Sequence, residues 1–230
     1  MRNLNMILFV VFWFTTIISV NSQIITEKDF KDYNINQFDS DGNGKADYIE
    51  AALTIKEWYG LDKNNAISRT VITDSIPRTK DQLYIEVNNW FIHSFNSGKS
   101  VIQLNDKDAG VIIGKGFVSN VASHTSFTSN AAVHAWVIIR VDIKDYKMRI
   151  ATTIQEYELD MGTGVLGALG GNTSTTKHQW LPVDCFPFNS KNYKKTTSKA
   201  FVNCHIYSLV IADKLIEAVT NGIVGNEDEW

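Results

Sequence analysis

Apolar and polar residues alternate with a period of two over His134–Lys144. Val137, Ile139, Val141 and Ile143 fall on one side, and Arg140, Asp142 and Lys144 on the other. That is the pattern of a strand with one buried face. Shorter runs predict strands over 69–74, 100–105, 110–120 and 147–159, the last with Met148, Ile150 and Ile154 on a shared face. Tight turns at Asp106–Ala109 and Asp145–Tyr146 join neighbours as hairpins. The period becomes helical over 79–95, where Leu83, Val87, Trp90 and Ser94 form one stripe with Phe91 beside it. It is helical again over 196–221, with Phe201, Ile206, Leu209, Leu215, Ile216 and Val219, and Gly222 closes the run. The Gly/Ser/Thr-rich stretch 160–195 between them is expected to be a loop. The order strand, helix, four strands, helix predicts a two-layer α+β domain over 67–225, an antiparallel sheet covered by helices.

The first third of the chain reads differently. Residues 26–38 predict a short helix with Thr26 as N-cap, and 47–59 a second helix that stops at Gly60. An Asp/Asn/Gly cluster separates them, so 23–62 is a helix-loop-helix, joined to the rest by a linker over 61–68. Ahead of it, Met1-Arg2-Asn3 precedes an apolar run from Met6 to Val20, and Val20-Asn21-Ser22 follows. A positive start, about 15 apolar residues and small residues at the end describe a secretory signal peptide over 1–22. The run is shorter than the ~20 residues that span a bilayer, and no cysteine follows it to carry a lipid. The expectation is an exported, periplasmic or extracellular protein without a membrane span in the mature chain.

Composition narrows the partners. With 44% hydrophobic and 20% charged residues the chain is of globular type, and its net charge of −3 leaves no basic field for nucleic acid. The expected partner is an envelope or extracellular one. Export also bears on Cys185 and Cys204, since an oxidising compartment permits a bridge. Two separately buried thiols are the alternative, and spacing does not choose between them.

The clearest chemical pattern is Asp39-Ser40-Asp41-Gly42-Asn43-Gly44-Lys45-Ala46-Asp47-Tyr48-Ile49-Glu50. It resembles the EF-hand calcium loop over all twelve positions. Ca²⁺ takes about seven oxygens near 2.4 Å. Asp39, Asp41 and Asn43 at alternating positions turn side-chain oxygens inward, and Gly44 permits the bend. Lys45 offers its backbone carbonyl, Asp47 binds directly or through water, and Glu50 supplies two carboxylate oxygens from the outgoing helix. Ala46 and Ala51 replace the larger apolar residues usual at their positions, and no second loop follows. The lone site resembles those of secreted calcium modules, dockerins among them, which bind on the order of 10⁻⁴–10⁻³ M. The alternative is an Asp/Asn/Gly surface turn.

Other chemistry-like text is weaker. Gly162-Thr163-Gly164-Val165-Leu166-Gly167 spells a dinucleotide fingerprint, but no helix opens at its glycines and the sheet is antiparallel. His93, His124, His134, His178 and His205 show no zinc spacing. Cys204 and His205 are adjacent on a helix and point about 100° apart. Trp90 and Trp136 read as core or edge aromatics. Glu227-Asp228-Glu229-Trp230 reads as a solvated tail.

The stretch 69–95, with Asp81-Gln82-Leu83-Tyr84 and Asn89-Trp90-Phe91, is similar to the opening of a secreted Bacteroidetes family, domain-of-unknown-function family 4468. Val101–Gly116 resembles that family's second signature, and Ile143–Arg149 and Tyr157 are similar too. The resemblance covers about 69–160 and extends to the last helix. It implies a TATA-binding-protein-like (TBP-like) β-α-β-β-β-β-α layout. It implies no DNA binding, since the likeness is of fold, and offers no catalytic residues; the leading helix-loop-helix is not usual in it. Three functions follow as expectations. The first is an exported non-catalytic protein with one calcium loop. The second is an envelope carrier holding an apolar ligand between sheet and helix, its cavity lined by Trp136, Ile138 or Phe117. The third is a hydrolase with a histidine beside Ser, Cys or a carboxylate in a polar cleft.

Overall fold

Three long strands form the middle of the molecule: β4 (Val111–Thr125), β5 (Ser129–Lys144) and β6 (Lys147–Thr163). The computed structural model describes residues 42–43, 47–63, 66–95, 101–164, 175–189 and 193–222. Before the strands come α1 (Tyr48–Lys56), β1 (Gly60–Leu61), β2 (Ile67–Asp74), α2 (Lys80–Ser94) and β3 (Ile102–Asp106). After them come β7 (Thr175–Trp180), a short 3₁₀ turn at Pro182–Asp184 and α3 (Lys194–Asn221). The signal segment, the helix expected over 26–38, residues 165–174 of the expected loop and the acidic tail lie outside the described residues.

Among the described residues all pairings are antiparallel, and the sheet has seven strands in the order β1-β2-β6-β5-β4-β3, with β7 on the far half of β6. The α+β class and the β-α-β-β-β-β-α core are as the pattern requires, with β1 and β7 added. Alternate residues of β5 from Val133 to Ile143 are buried, and their neighbours face the other side. α2 and α3 cover the buried face, and both pack on β4 and β5. α2 presents Leu83, Val87, Trp90 and Phe91. Thr79 and Gln82 close a capping box at its start. Just before that cap, Arg78 donates to the carbonyls of Val219 and Thr220, where the negative end of α3 favours a cation.

Three expectations change. Residues 61–68 are not a linker: Gly60 and Leu61 pair with Ser68 and Ile67 across a turn that Asp62 closes by accepting from Ala66 N at 2.9 Å. The stretch 160–195 is not all loop, because Thr175–Trp180 adds β7 to the sheet. Its sequence, TTKHQW, shows no apolar alternation, since the strand lies exposed at an edge. Finally, β4 does not end at Asn120. It crosses a bulge between Val118 and Ala122, with Asn120 left-handed at φ 55°, and runs on to Thr125.

A polar cluster sits inside the apolar layer. Tyr59, just past α1, bonds through its hydroxyl to His205 Nδ1 at 3.2 Å and Ser208 Oγ at 3.3 Å on α3. Burial, with Arg69 nearby, holds His205 down at about 4 against its usual 6.5. The folded chain therefore keeps a neutral imidazole where the unfolded chain takes a proton. Stability is full above about pH 6.5 and falls as pH drops toward 4, by at most about 3 kcal/mol. Urea unfolding at pH 7 and pH 5 measures that slope, and His205→Gln is expected to flatten it; equal slopes would refute the assignment. A second test concerns Gly114, where a Cβ would lie 2.4 Å from Phe91 Cε1. Gly114→Ala is expected to cost about 1–3 kcal/mol in the same assay through overpacking.

Candidate functional site

Of the six ligands expected from the sequence, Asn43, Asp47 and Glu50 are described; Asp39, Asp41 and Lys45 lie outside the described residues. Asp47 is the N-cap of α1. Its Oδ1 accepts from Ile49 N at 2.9 Å and Glu50 N at 3.3 Å, which leaves Oδ2 without a hydrogen bond among the described residues. An aspartate is suited to this place because the first N–H groups of a helix have no partner within it. Glu50 follows in the first turn, exposed to solvent. Gly42 is left-handed at φ 68°, a conformation that costs glycine least. Asn43 is exposed beside it. Positions nine and twelve of the loop pattern thus occupy the cap and the first turn of one helix, where its positive end favours anionic groups. Among the described residues, no three His, Cys, Asp or Glu side chains gather to hold a metal ion.

α1 is fixed to the main domain through its other face. Ala51, Ala52 and Ile55 are buried, and the helix packs on α3. The small side chain at 51 admits close approach of the two helices, which accounts for one departure from the usual loop pattern. Tyr59 stands edge-on to Phe201 at 5.0 Å between ring centroids, and Lys199 lies 5.8 Å from the ring of Tyr48. Burial raises the Tyr48 phenol above its ordinary range.

Both thiols and His205 are enclosed in the core. Cys185 and Cys204 are free and buried; burial pushes the Cys185 thiol up to about 12 and Cys204 higher still, so neither is a ready nucleophile. His205 is enclosed with Tyr59 and Ser208. His134 accepts from Asn120 N at 3.0 Å through Nδ1, so the bulge in β4 fixes its ring, and Nε2 faces Asp160 Oδ2 at 3.7 Å. Lys177 lies against Glu158 at 2.8 Å and Asp160 at 3.7 Å. The bulge that aims His134 has no clear signal in the sequence beyond the break in alternation at Asn120.

Phe117, Trp136 and Ile138 correct the carrier expectation. They stand on the face of the sheet opposite the helices, as alternation from the buried Val118, Ala135 and Val137 dictates. There Phe117 packs on Trp136 at 4.8 Å and on His134 at 5.4 Å, and Lys115 lies over the indole at 4.7 Å. They cannot line a cavity under α3. The dinucleotide-like text begins in sheet, with Gly162 paired to Asn130 and Thr175, and its residues 165–167 lie outside the described residues. Gly164 lies so close to the β4–β5 turn that a Cβ would be 2.5 Å from Ser129 N. No described helix is long and apolar enough to cross a membrane.

No curated protein matches the chain. Two solved structures are similar. One is the crystal structure of a TBP-like protein from Parabacteroides distasonis, 12% identical, covering 70% of this chain and 96% of that one, with a TM-score of 0.48. The other is a DUF4468 family protein from Bacteroides ovatus, 11% identical, covering 67% and 88%, with a TM-score of 0.41. Residues 68–161, from β2 to near the end of β6, match the model of a family described as a domain of unknown function (DUF4468) with TBP-like fold.

Proposed function

We propose that this is an exported, non-catalytic α+β protein whose loop 39–50 binds one calcium ion and thereby orders the chain in front of α1. The observation that carries the reading is the paired role of Asp47 and Glu50. One carboxylate caps α1 with an oxygen to spare, and the other sits exposed three residues on. Asp39, Asp41, Asn43, the Lys45 carbonyl, Asp47 and Glu50 would form the ligand set, all oxygen donors as a hard cation requires. Export is supported by the sequence of residues 1–22. The enclosure of His205 and both thiols favours a binding role over a hydrolytic one. The partner would be met in the envelope or outside the cell.

Calorimetric titration with calcium tests the site. The expected result is saturable binding on the order of 10⁻⁴–10⁻³ M, lost in Glu50→Gln. Lack of heat up to about 10 mM, or binding unchanged in the variant, would reduce the loop to a surface turn. Export has its own readout: intact mass of the protein secreted by a bacterial host, expected to begin at Gln23. An uncleaved N-terminus would count against it.

A further inference from the structure

A recess of about 630 Å³ opens where the β5–β6 hairpin meets β2 and the start of α2. Lys80, Lys144, Lys147 and Arg149 line it, with Asp142 and Asp145 among them. The carboxylates are committed. Asp145 accepts from Lys80 N at 2.8 Å and so serves the start of α2, a neutral partner that leaves its negative charge in place. Asp142 lies between two guanidiniums, Arg140 at 2.8 Å and Arg149 at 2.9 Å. Burial opposes its charge, but hydrogen bonds from both arginines outweigh burial and hold its carboxyl below the usual range. Asp74 takes Lys147 at 3.0 Å.

The cations are not all matched. Lys80 Nζ donates to the backbone carbonyl of Asp108 at 2.7 Å, a neutral partner that leaves its charge uncompensated. Lys144 is exposed and has no ion pair among the described residues. One carboxylate cannot neutralise both Arg140 and Arg149. Even with Asp145 counted, the lining holds four cations, Lys80, Lys144, Lys147 and Arg149, against two carboxylates, so positive charge exceeds negative at a concave surface, whose low-dielectric walls concentrate the field. The recess is also partly apolar: Ile72 is 57% exposed on its wall, and Ile143 is buried behind it. A few polar groups set against an apolar wall in a cavity of this size is the usual make-up of a small-molecule site.

We propose that this recess binds a small organic phosphate, with Lys80, Lys144 and Arg149 on the oxyanion and Ile72 against the organic part. A carboxylate would meet the same cations, but a dianion matches the surplus charge better. The recess shares no residue with the proposed calcium loop, and either proposal can fail without the other.

Titration of the full-length protein with phenyl phosphate and with inorganic phosphate, at low salt, tests the proposal. Phenyl phosphate is expected to saturate and to bind several-fold tighter than inorganic phosphate. Lys144→Gln and Arg149→Gln should each weaken it about 5- to 10-fold, the scale of one net hydrogen bond at an accessible site. Arg140 still holds Asp142 in the second variant, and Lys144 is exposed, so both should fold; thermal unfolding checks this. Ile72→Asn should reduce phenyl phosphate affinity and leave inorganic phosphate unchanged. Lys177→Gln, outside the recess, should change neither. Absence of saturable binding, or affinity that Lys144→Gln and Arg149→Gln leave intact, overturns the proposal. Co-sedimentation with vesicles of phosphatidylcholine and one-fifth phosphatidylglycerol separates a lipid headgroup from a soluble phosphate. Lys144-dependent sedimentation without phenyl phosphate binding would overturn the soluble ligand in favour of a membrane surface.

Discussion

Ile112, Ile139, Val141, Met148 and Ile150 are at most 1% exposed, all on the one sheet face that α2 and α3 cover. Fully burying a side chain of this kind contributes about 1.5–3 kcal/mol before ordering costs. The fold depends on that single apolar contact, because a sheet needs its hydrophobic face covered to be stable. α3 supplies most of the cover, with fifteen buried residues along its length. Its buried set includes Ser198, His205 and Ser208, so polar groups had to be paired inside the layer, and Tyr59 and the helix's own carbonyls meet that need.

Covering one face leaves the other free to carry chemistry, and the bulges decide which residues appear there. In β6 the register shifts between Ile154 and Glu156, which returns Tyr157 and Leu159 to the buried side. Without that shift the period of two would turn both toward solvent. In β4 the bulge at Asn120 gives His134 a backbone donor and fixes its ring against Phe117. The outer face thus holds aromatic rings, charge pairs and one oriented imidazole. Its pairs, such as Glu158 with Lys177, lie at the surface, where each contributes little to stability.

Much of this was legible because the sheet's buried residues alternate and both covering helices carry apolar stripes. The β5 pattern and the Asp145–Tyr146 hairpin identified the central pair and its direction. Trp90 belongs to the core, as its stripe indicated, and is 4% exposed. Trp136 falls by the same alternation on the side of Arg140 and Asp142, so the carrier expectation that lined a cavity with it ran against the strand's own pattern. β7 was hidden because an exposed edge strand needs no apolar face. The β4 extension was hidden because a bulge breaks the alternation by which strands are read. Among the candidate ligands, Asp47 and Glu50 were singled out by loop spacing alone, and that Asp47 caps α1 was not read from the sequence. The recess beside Lys144 was not legible either, since Ile72, Lys80 and Arg149 come together only through strand pairing and hairpin closure.

α1 joins the proposed calcium loop to the core, and the sizes of the two effects matter. Its buried face is small, two alanines and one isoleucine, with Tyr59 beyond the end. Such a contact contributes a few kcal/mol by area and is partly offset by the cost of ordering the helix. A weak extracellular site at ten times its dissociation constant adds about 1.4 kcal/mol. The two are comparable, so an ion bound through Asp47 and Glu50 would shift how firmly α1 lies on α3. Against the sheet core the same ion would count for little, because the β4–β5–β6 layer holds its helices through many more apolar side chains. On the proposed reading calcium would thus govern the front of the chain and leave the sheet and its two covering helices folded.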